Sequence, residues 1–492
     1  MKMRNSFITM FCAAIWVAVT SSVSLANTER TAGLDSFIQQ QLSAHEVAGA
    51  SIAVVQEGAV THEAAFGTAS ADTTTPVAKD TVFQAASISK AVTAWGVMRL
   101  VQEGRLELDA PISKYLTRWN LPISQFDENE VTIRRVLSHT AGLSLPSYVG
   151  FDPGKPLPTF EASLSGGTAG SGSLELVAKP NEQWAYSGGG YTLLGLIIEE
   201  VTGQTFADYM VEKILLPLGM TSSSYFPTDA LLSRTAQAHD FHLNTIPNYR
   251  LAAQGAGSLH TTAGDLARFA VANMNDNPVL NRETLREMHS PIIDTGFGSE
   301  MSLGFFVEGN GQLIGHSGSN RGWKTRIQFW AATNVRLVVL TNSESGAALV
   351  SGTFCYWNDV FEIGLLTETC ATQKEQQGRL ETVGWLTTIL ITSIALALAL
   401  RLLSNILLKK RRLARPTATE WRSWAIGLLL LLTIGHSLFL YTGLGVWAVA
   451  GIPWGFSITD HAPAPIQYAF HALLGLYTLA AVSLLMRRAN NQ

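Results

Sequence analysis

The chain has 492 residues, 47% of them hydrophobic, a formal net charge of −4 and three cysteines. Its length allows more than one domain, and a mean hydropathy of +0.17 points to membrane segments. The absence of a basic stripe argues against a nucleic-acid partner, and no Cys/His cluster has zinc spacing, so neither a metal nor an organic cofactor is expected.

Lys2 and Arg4 precede an apolar run from Phe7 to Val19 and then Ser24-Leu25-Ala26, which reads as a secretory signal over residues 1–26. Whether or not it is cleaved, residues from 27 onward leave the cytoplasm. With Cys12 in the leader, a Cys355–Cys370 disulfide and two separate thiols both remain open.

Residues 27–372 read as a mixed soluble domain. Gly33 to Ala44 suits a helix, and the runs Ala50–Val55 and Val60–Phe66 suit a hairpin through Glu57-Gly58. Ser87-Ile88-Ser89-Lys90 opens a long apolar stretch; a helix starting there puts Lys90 one turn beyond Ser87, on the same face. A lysine amine in that position can take the serine proton, and the helix N-terminus favours the resulting charge. The alternative is a Ser-capped helix with a solvated lysine. Ser165 to Ser173 is a Gly/Ser-rich loop, either a linker or an active-site flap.

Trp184-Ala185-Tyr186-Ser187-Gly188-Gly189-Gly190 turns tightly before a helical pattern from Tyr191 to Val201. A phenol beside a lysine ammonium suits a general base, and an aromatic packing corner is the competing reading. A second helical pattern runs from Thr262 to Met274. Short strands follow at Ser302–Val307, Gln312–His316, Lys324–Trp330 and Val335–Leu340. Strands at both ends of the domain, with helices between, predict that its two ends share one sheet. Between the second and third of these strands stand His316-Ser317-Gly318-Ser319, which offer backbone N–H groups for an oxyanion hole. His316 suits binding a carboxyl or relaying a proton. The near match to Gly-x-Ser-x-Gly ends in Ser319, which disfavours a nucleophile elbow at Ser317.

Residues 373–492 change character. Three apolar stretches, about 383–403, 424–450 and 466–486, are each of a length to span a bilayer. Lys409-Lys410-Arg411-Arg412 lie between the first two and Arg487-Arg488 follow the third, whereas 451–465 has no Lys or Arg. Positive-inside logic puts these basic segments in the cytoplasm and the soluble domain outside. His436 within the second stretch suits a helix–helix hydrogen bond.

Ser-x-x-Lys, Tyr-Ser-x and His-x-Gly in this order, with Arg135-Val136-Leu137-Ser138-His139-Thr140-Ala141-Gly142-Leu143 and Gly257-Ser258-Leu259-His260-Thr261-Thr262-Ala263-Gly264-Asp265, resemble the penicillin-binding serine hydrolases related to class C β-lactamases. The resemblance implies an α+β fold: an antiparallel sheet flanked by helices, with a helical subdomain. It implies Ser87 as the acylated nucleophile, Lys90 and Tyr186 sharing the proton handling, and backbone N–H groups of Ser87 and Ser319 at the oxyanion. His139 and His260 read as structural. His316, Gly318, Ser319 and Gly188 are the implied substrate-binding and oxyanion residues, with two departures: Gly188 where many relatives have Asn, and His316-Ser317-Gly318 where many have Lys-Thr-Gly. A neutral imidazole holds a carboxylate less firmly than an ammonium does. The expected activity is that of a membrane-anchored hydrolase of an ester, a D-amino-acid peptide or a related acyl substrate, peptidoglycan-derived or a β-lactam. A receptor acylated without turnover, a weak β-lactamase and an inert scaffold are the alternatives.

Overall fold

The computed structural model describes residues 30–166, 172–330, 334–361, 364, 367–408 and 411–413, with scattered residues from 421 to 488. The expected signal segment, the tip of the Ser165–Ser173 loop and His436 lie outside the described residues. Contacts divide the chain into one unit up to Thr367 and another from Glu368.

In the first unit, a helix over 30–44 (α1) leads into the predicted hairpin, β1 (Gly49–Gln56) and β2 (Ala59–Ser70). A short strand, β3 (Thr75–Pro76), extends its outer edge. The other strands come from the far end of the unit: β4 (Ile293–Asp294), β5 (Glu300–Met301), β6 (Phe306–Glu308), β7 (Leu313–Asn320), β8 (Trp323–Trp330) and β9 (Val335–Thr341). Among the described residues they form one nine-stranded sheet in the order β3-β2-β1-β9-β8-β7-β6-β5-β4, with every pairing antiparallel. β1 and β9, paired from Ala50 opposite Thr341 to Gln56 opposite Val335, join the two ends of the unit as predicted.

Both strands are almost wholly buried, which is why they read as largely apolar runs rather than alternating ones. One face packs on α4 (Ala263–Met274); α5 (Gly346–Val360) covers the β8–β9 part of the sheet and reaches α1 through the stacked Phe37 and Tyr356 rings, 4.6 Å apart. The expected strand over Ser302–Val307 is shorter than predicted. The chain turns at Gly304 against Ala94, and only Phe306–Glu308 pairs with β7.

Between β3 and β4 lies the helical part. Its centre is α2 (Ile88–Gln102), apolar all round and buried over most of its length, as expected of a helix enclosed by others. The Trp95 indole N–H is satisfied by Asn273 Oδ1 at 3.1 Å on α4, tying α2 to the sheet layer. α3 (Gly188–Thr202) packs beside it.

The second unit begins with α6 (Thr367–Leu407), which runs unbroken through the polar stretch into the first apolar one. Its segment Trp385–Leu407 is long and apolar enough to cross a membrane, and is the one such helix among the described residues where three spans were expected. Most of 424–450 and much of 466–486 lie outside the described residues. Met486 belongs to a strand, Met486–Arg488, paired with Arg411–Leu413. Cys355 and Cys370 are both disulfide-bonded, which settles the thiol alternative.

Candidate active site

Ser87 is the residue before α2, in helical backbone conformation, and its hydroxyl makes no capping bond to the helix. Ala86 before it has φ of +50°, a strained value for a residue with a side chain. The segment is clamped by the Ala85 N–H to Leu259 O at 2.8 Å and by Thr325 Oγ1, which donates to Ala85 O at 2.8 Å. β7 closes over the same segment. A Cβ at Gly318 would stand 2.3 Å from the Ala85 carbonyl oxygen, so only glycine permits this approach.

Lys90 lies one turn on, almost fully buried. Its Nζ donates to Ala256 O at 2.7 Å and reaches Ser87 Oγ at 3.3 Å. A buried ammonium needs such acceptors, and the short helix Gln254–Gly257 supplies one from a backbone carbonyl. The Tyr186 ring centroid is 4.8 Å from the same Nζ. The sequence thus predicted three residues that the fold does bring into one place, at the edge of a single cavity of about 430 Å³ lined by Ser87, Tyr186, Phe306, His316, Arg326 and Val350, among others.

Tyr186 is held from behind. His139, with φ of +57°, accepts the Ala185 N–H on its carbonyl at 2.8 Å and the Ser187 N–H on Nδ1 at 3.0 Å. Its ring lies 4.3 Å from the Tyr186 ring. Ser187 completes the turn by capping α3 through Gly190 N–H at 2.9 Å and donating to Ser144 O at 2.6 Å. Burial, reinforced by the Lys90 charge, keeps the His139 imidazole neutral, well below its ordinary range. His260 is also buried, with Nδ1 donating to Ser258 O at 2.9 Å.

His316 faces Tyr186 across 6.5 Å between ring centroids. Its Nδ1 donates to Ser317 O at 2.6 Å, leaving Nε2 a buried lone pair with no partner among the described residues. Burial first, then the Lys90 charge, push its imidazole down to about 3. It therefore carries no positive charge at neutral pH with which to hold a carboxylate. Gly318 and Ser319 line the cavity. Gly188 does not: it is buried at the start of α3, where a Cβ would sit 3.0 Å from Pro146 O and 3.5 Å from the Tyr148 ring.

Two cations went unread in the sequence. The β7–β8 register sets Lys324 opposite Ser319 and Arg326 opposite Ser317, so all four side chains share one face, and all four line the cavity. Counting back across the Asn320-Arg321-Gly322-Trp323 turn would have found them. Lys324 is paired with Glu344 Oε1 at 2.5 Å and donates to Ser319 Oγ at 2.9 Å. Arg326 lies over the Phe354 ring at 4.7 Å, and Glu308, its carboxylate, is 3.8 Å away. Burial lowers its pKa. No group of acidic, His or Cys side chains suited to a metal occurs among the described residues.

A β-lactamase family model matches residues 34–353. The chain belongs to the β-lactamase family of serine hydrolases. Within that family it is 27% identical to Protein flp of Staphylococcus aureus (strain COL) over 319 residues, 63% of each chain. It is 28% identical to Penicillin-binding protein 4 of Amycolatopsis lactamdurans over 323 residues, 61% of this chain and 81% of that one. The match thus spans less than two thirds of the Staphylococcus relative's length. Among solved structures, the octameric penicillin-binding protein homologue from Pyrococcus abyssi superposes with a TM-score of 0.58 at 27% identity, covering 68% of this chain and 77% of that one. The D-alanine carboxypeptidase AmpC from Burkholderia cenocepacia, at 21% identity and a TM-score of 0.54, covers 66% of this chain and 99% of its own, and shares the β-lactamase-family fold.

Proposed function

We propose that this protein is a membrane-anchored serine hydrolase that cleaves an ester or a peptide, such as a D-amino-acid peptide, through an acyl-enzyme on Ser87. The observation that carries the reading is the contact of Lys90 Nζ with Ser87 Oγ at 3.3 Å, under the Tyr186 ring and at the edge of one cavity. Ser87 Oγ attacks the carbonyl carbon as its proton passes to the Lys90–Tyr186 pair. Backbone N–H groups of Ser87 and Ser319 receive the oxyanion. Collapse breaks the bond to the alcohol or amine, which leaves with the proton delivered through Tyr186. Water, deprotonated by Tyr186, then attacks the acyl carbon and returns Ser87 with its proton. The relatives' names, a penicillin-binding protein and a D-alanine carboxypeptidase, agree with an acyl-transfer site. The apolar segment Trp385–Leu407 and the basic residues beyond it support an anchor with the hydrolase outside the cytoplasm.

A β-lactam would be acylated here more readily than it is released. Gly188 carries no side-chain amide to reach the cavity, and His316 supplies no charge to orient the bound acyl group. That favours a slow or absent β-lactamase activity beside the main one.

The test is labelling of the full-length protein with a fluorescent fluorophosphonate and a fluorescent penicillin, alongside turnover of a p-nitrophenyl ester panel. Wild type should label on Ser87 and turn over, and Ser87→Ala should do neither. Folded protein that neither labels nor hydrolyses, or a Ser87→Ala variant as active as wild type, overturns the reading.

A further inference from the structure

The hairpin between β4 and β5 ends in Asp294-Thr295-Gly296-Phe297-Gly298-Ser299, and Phe297 at its tip is 82% exposed. Both flanking glycines have left-handed backbone, φ of +78° and +79°. The tip is built rather than loose. Thr295 donates to Ser299 O through its N–H at 3.0 Å and its Oγ1 at 2.7 Å. The Gly296 N–H donates to Asp294 Oδ1 at 2.9 Å. A phenylalanine so fixed and so exposed contributes nothing to the core.

Its ring begins a row. Phe297 meets Trp184 edge-to-face at 6.0 Å, Trp184 meets Phe306 at 6.2 Å, and Phe306 meets His316 at 5.1 Å. Trp184 also lies 6.1 Å from Tyr186. Phe306 lines the cavity that holds Ser87, so the row is continuous from the nucleophile's cavity to the exposed tip.

We infer that Phe297, Trp184 and Phe306 form an apolar subsite beside the cavity, one that takes an aromatic ring of the substrate. The inference rests on the hydrolase reading for where the substrate sits. The rings are already in place, so binding orders little and the gain comes from covering the exposed Phe297 face. Substrates without an aromatic ring leave that face in water.

The experiment separates this subsite from turnover by using full-length Ser87→Ala protein in lipid nanodiscs. Calorimetry measures its affinity for N-phenylacetylglycinamide and for N-acetylglycinamide. We expect the phenylacetyl compound to bind about tenfold more tightly, Phe297→Ala in the same background to cut that ratio about fivefold, and Phe297→Tyr to restore most of it. A ratio near one in the parent, or a ratio unchanged by Phe297→Ala, overturns the subsite. Because the measurement involves no catalysis, its outcome stands even if the ester panel were to refute the hydrolase reading.

Discussion

Gly318 passes so close to Ala85 that a Cβ on it would stand 2.3 Å from the Ala85 carbonyl oxygen and 2.2 Å from Thr325 Oγ1. The contact sets the spacing between β7 and the segment that presents Ser87. In Gly318→Ala, β7 must retreat from that segment, carrying the Ser319 N–H with it. A misplacement on the order of 1 Å costs about a hundredfold in rate. The expected outcome is a fall of that size in kcat/KM for an ester substrate, with the circular dichroism spectrum retained. Wild-type activity in this variant would show that the approach is not used.

Lys90 is fixed by Ala256 O rather than by a carboxylate. Lys90→Ala should therefore lower turnover by about 10²–10⁴-fold, the usual contribution of a positioned acid–base group. Lys90→Arg should not rescue it, since a planar guanidinium cannot reproduce both contacts in a buried slot. Steady-state turnover and the rate of fluorophosphonate labelling check this together. Rescue by arginine would reduce Lys90 to a charge.

Most of the sheet was readable because β1, β8 and β9 are long apolar or alternating runs bounded by turn residues. The two-residue strands were not, because such lengths carry no period: Phe83–Gln84 pairs with His260–Thr261 purely through tertiary placement. Of the site, Ser87, Lys90 and Tyr186 were readable from motif order. Lys324 and Arg326 were not, because their place depends on cross-strand register, and Phe297 was not, because an isolated aromatic in a loop has no sequence signature. His139 read as a structural loop residue. That it does so by bracing the Tyr186 ring is visible only in three dimensions. Gly188 read as a missing contact at the site, whereas the fold buries it beneath Pro146 and Tyr148.

Acid should weaken the fold through its buried histidines. Burial pushes His260 and His289 down to about 4 and His316 to about 3, from an ordinary value of 6.5. Between 6.5 and those values the unfolded chain binds protons that the folded chain refuses, so stability is complete above pH 6.5 and is lost as pH falls below it. Each such histidine contributes a slope of about 1.4 kcal/mol per pH unit in that window. Urea unfolding from pH 8 to 4.5 should show a plateau and then this decline, and His289→Gln should make the decline shallower. A flat profile down to pH 5 would refute the neutral, buried assignment.

Glu344 ties the cavity-lining Lys324 to the turn at Gly322. One carboxylate oxygen accepts the Gly322 N–H at 2.6 Å and the other accepts Lys324 Nζ at 2.5 Å, with both side chains largely buried. Glu344→Ala strands a buried ammonium and a turn N–H, and should cost about 3–5 kcal/mol in urea denaturation. The double variant Glu344→Ala, Lys324→Met should recover much of that loss. If the single substitution costs under about 1 kcal/mol, the pair behaves as an exposed one.

The pairing of Ala50 with Thr341 dictates an order of events during biogenesis. A ribosome delivers β1 early, yet its partner β9 appears only after α1 to α4 and the other long strands have been made. Until then the largely apolar β1 keeps one edge open, a liability for intermolecular pairing. Such long-range closure is slow to form. A newly made chain therefore depends on being shielded until synthesis has passed Thr341, and one truncated before that point is left with an unfinished central sheet.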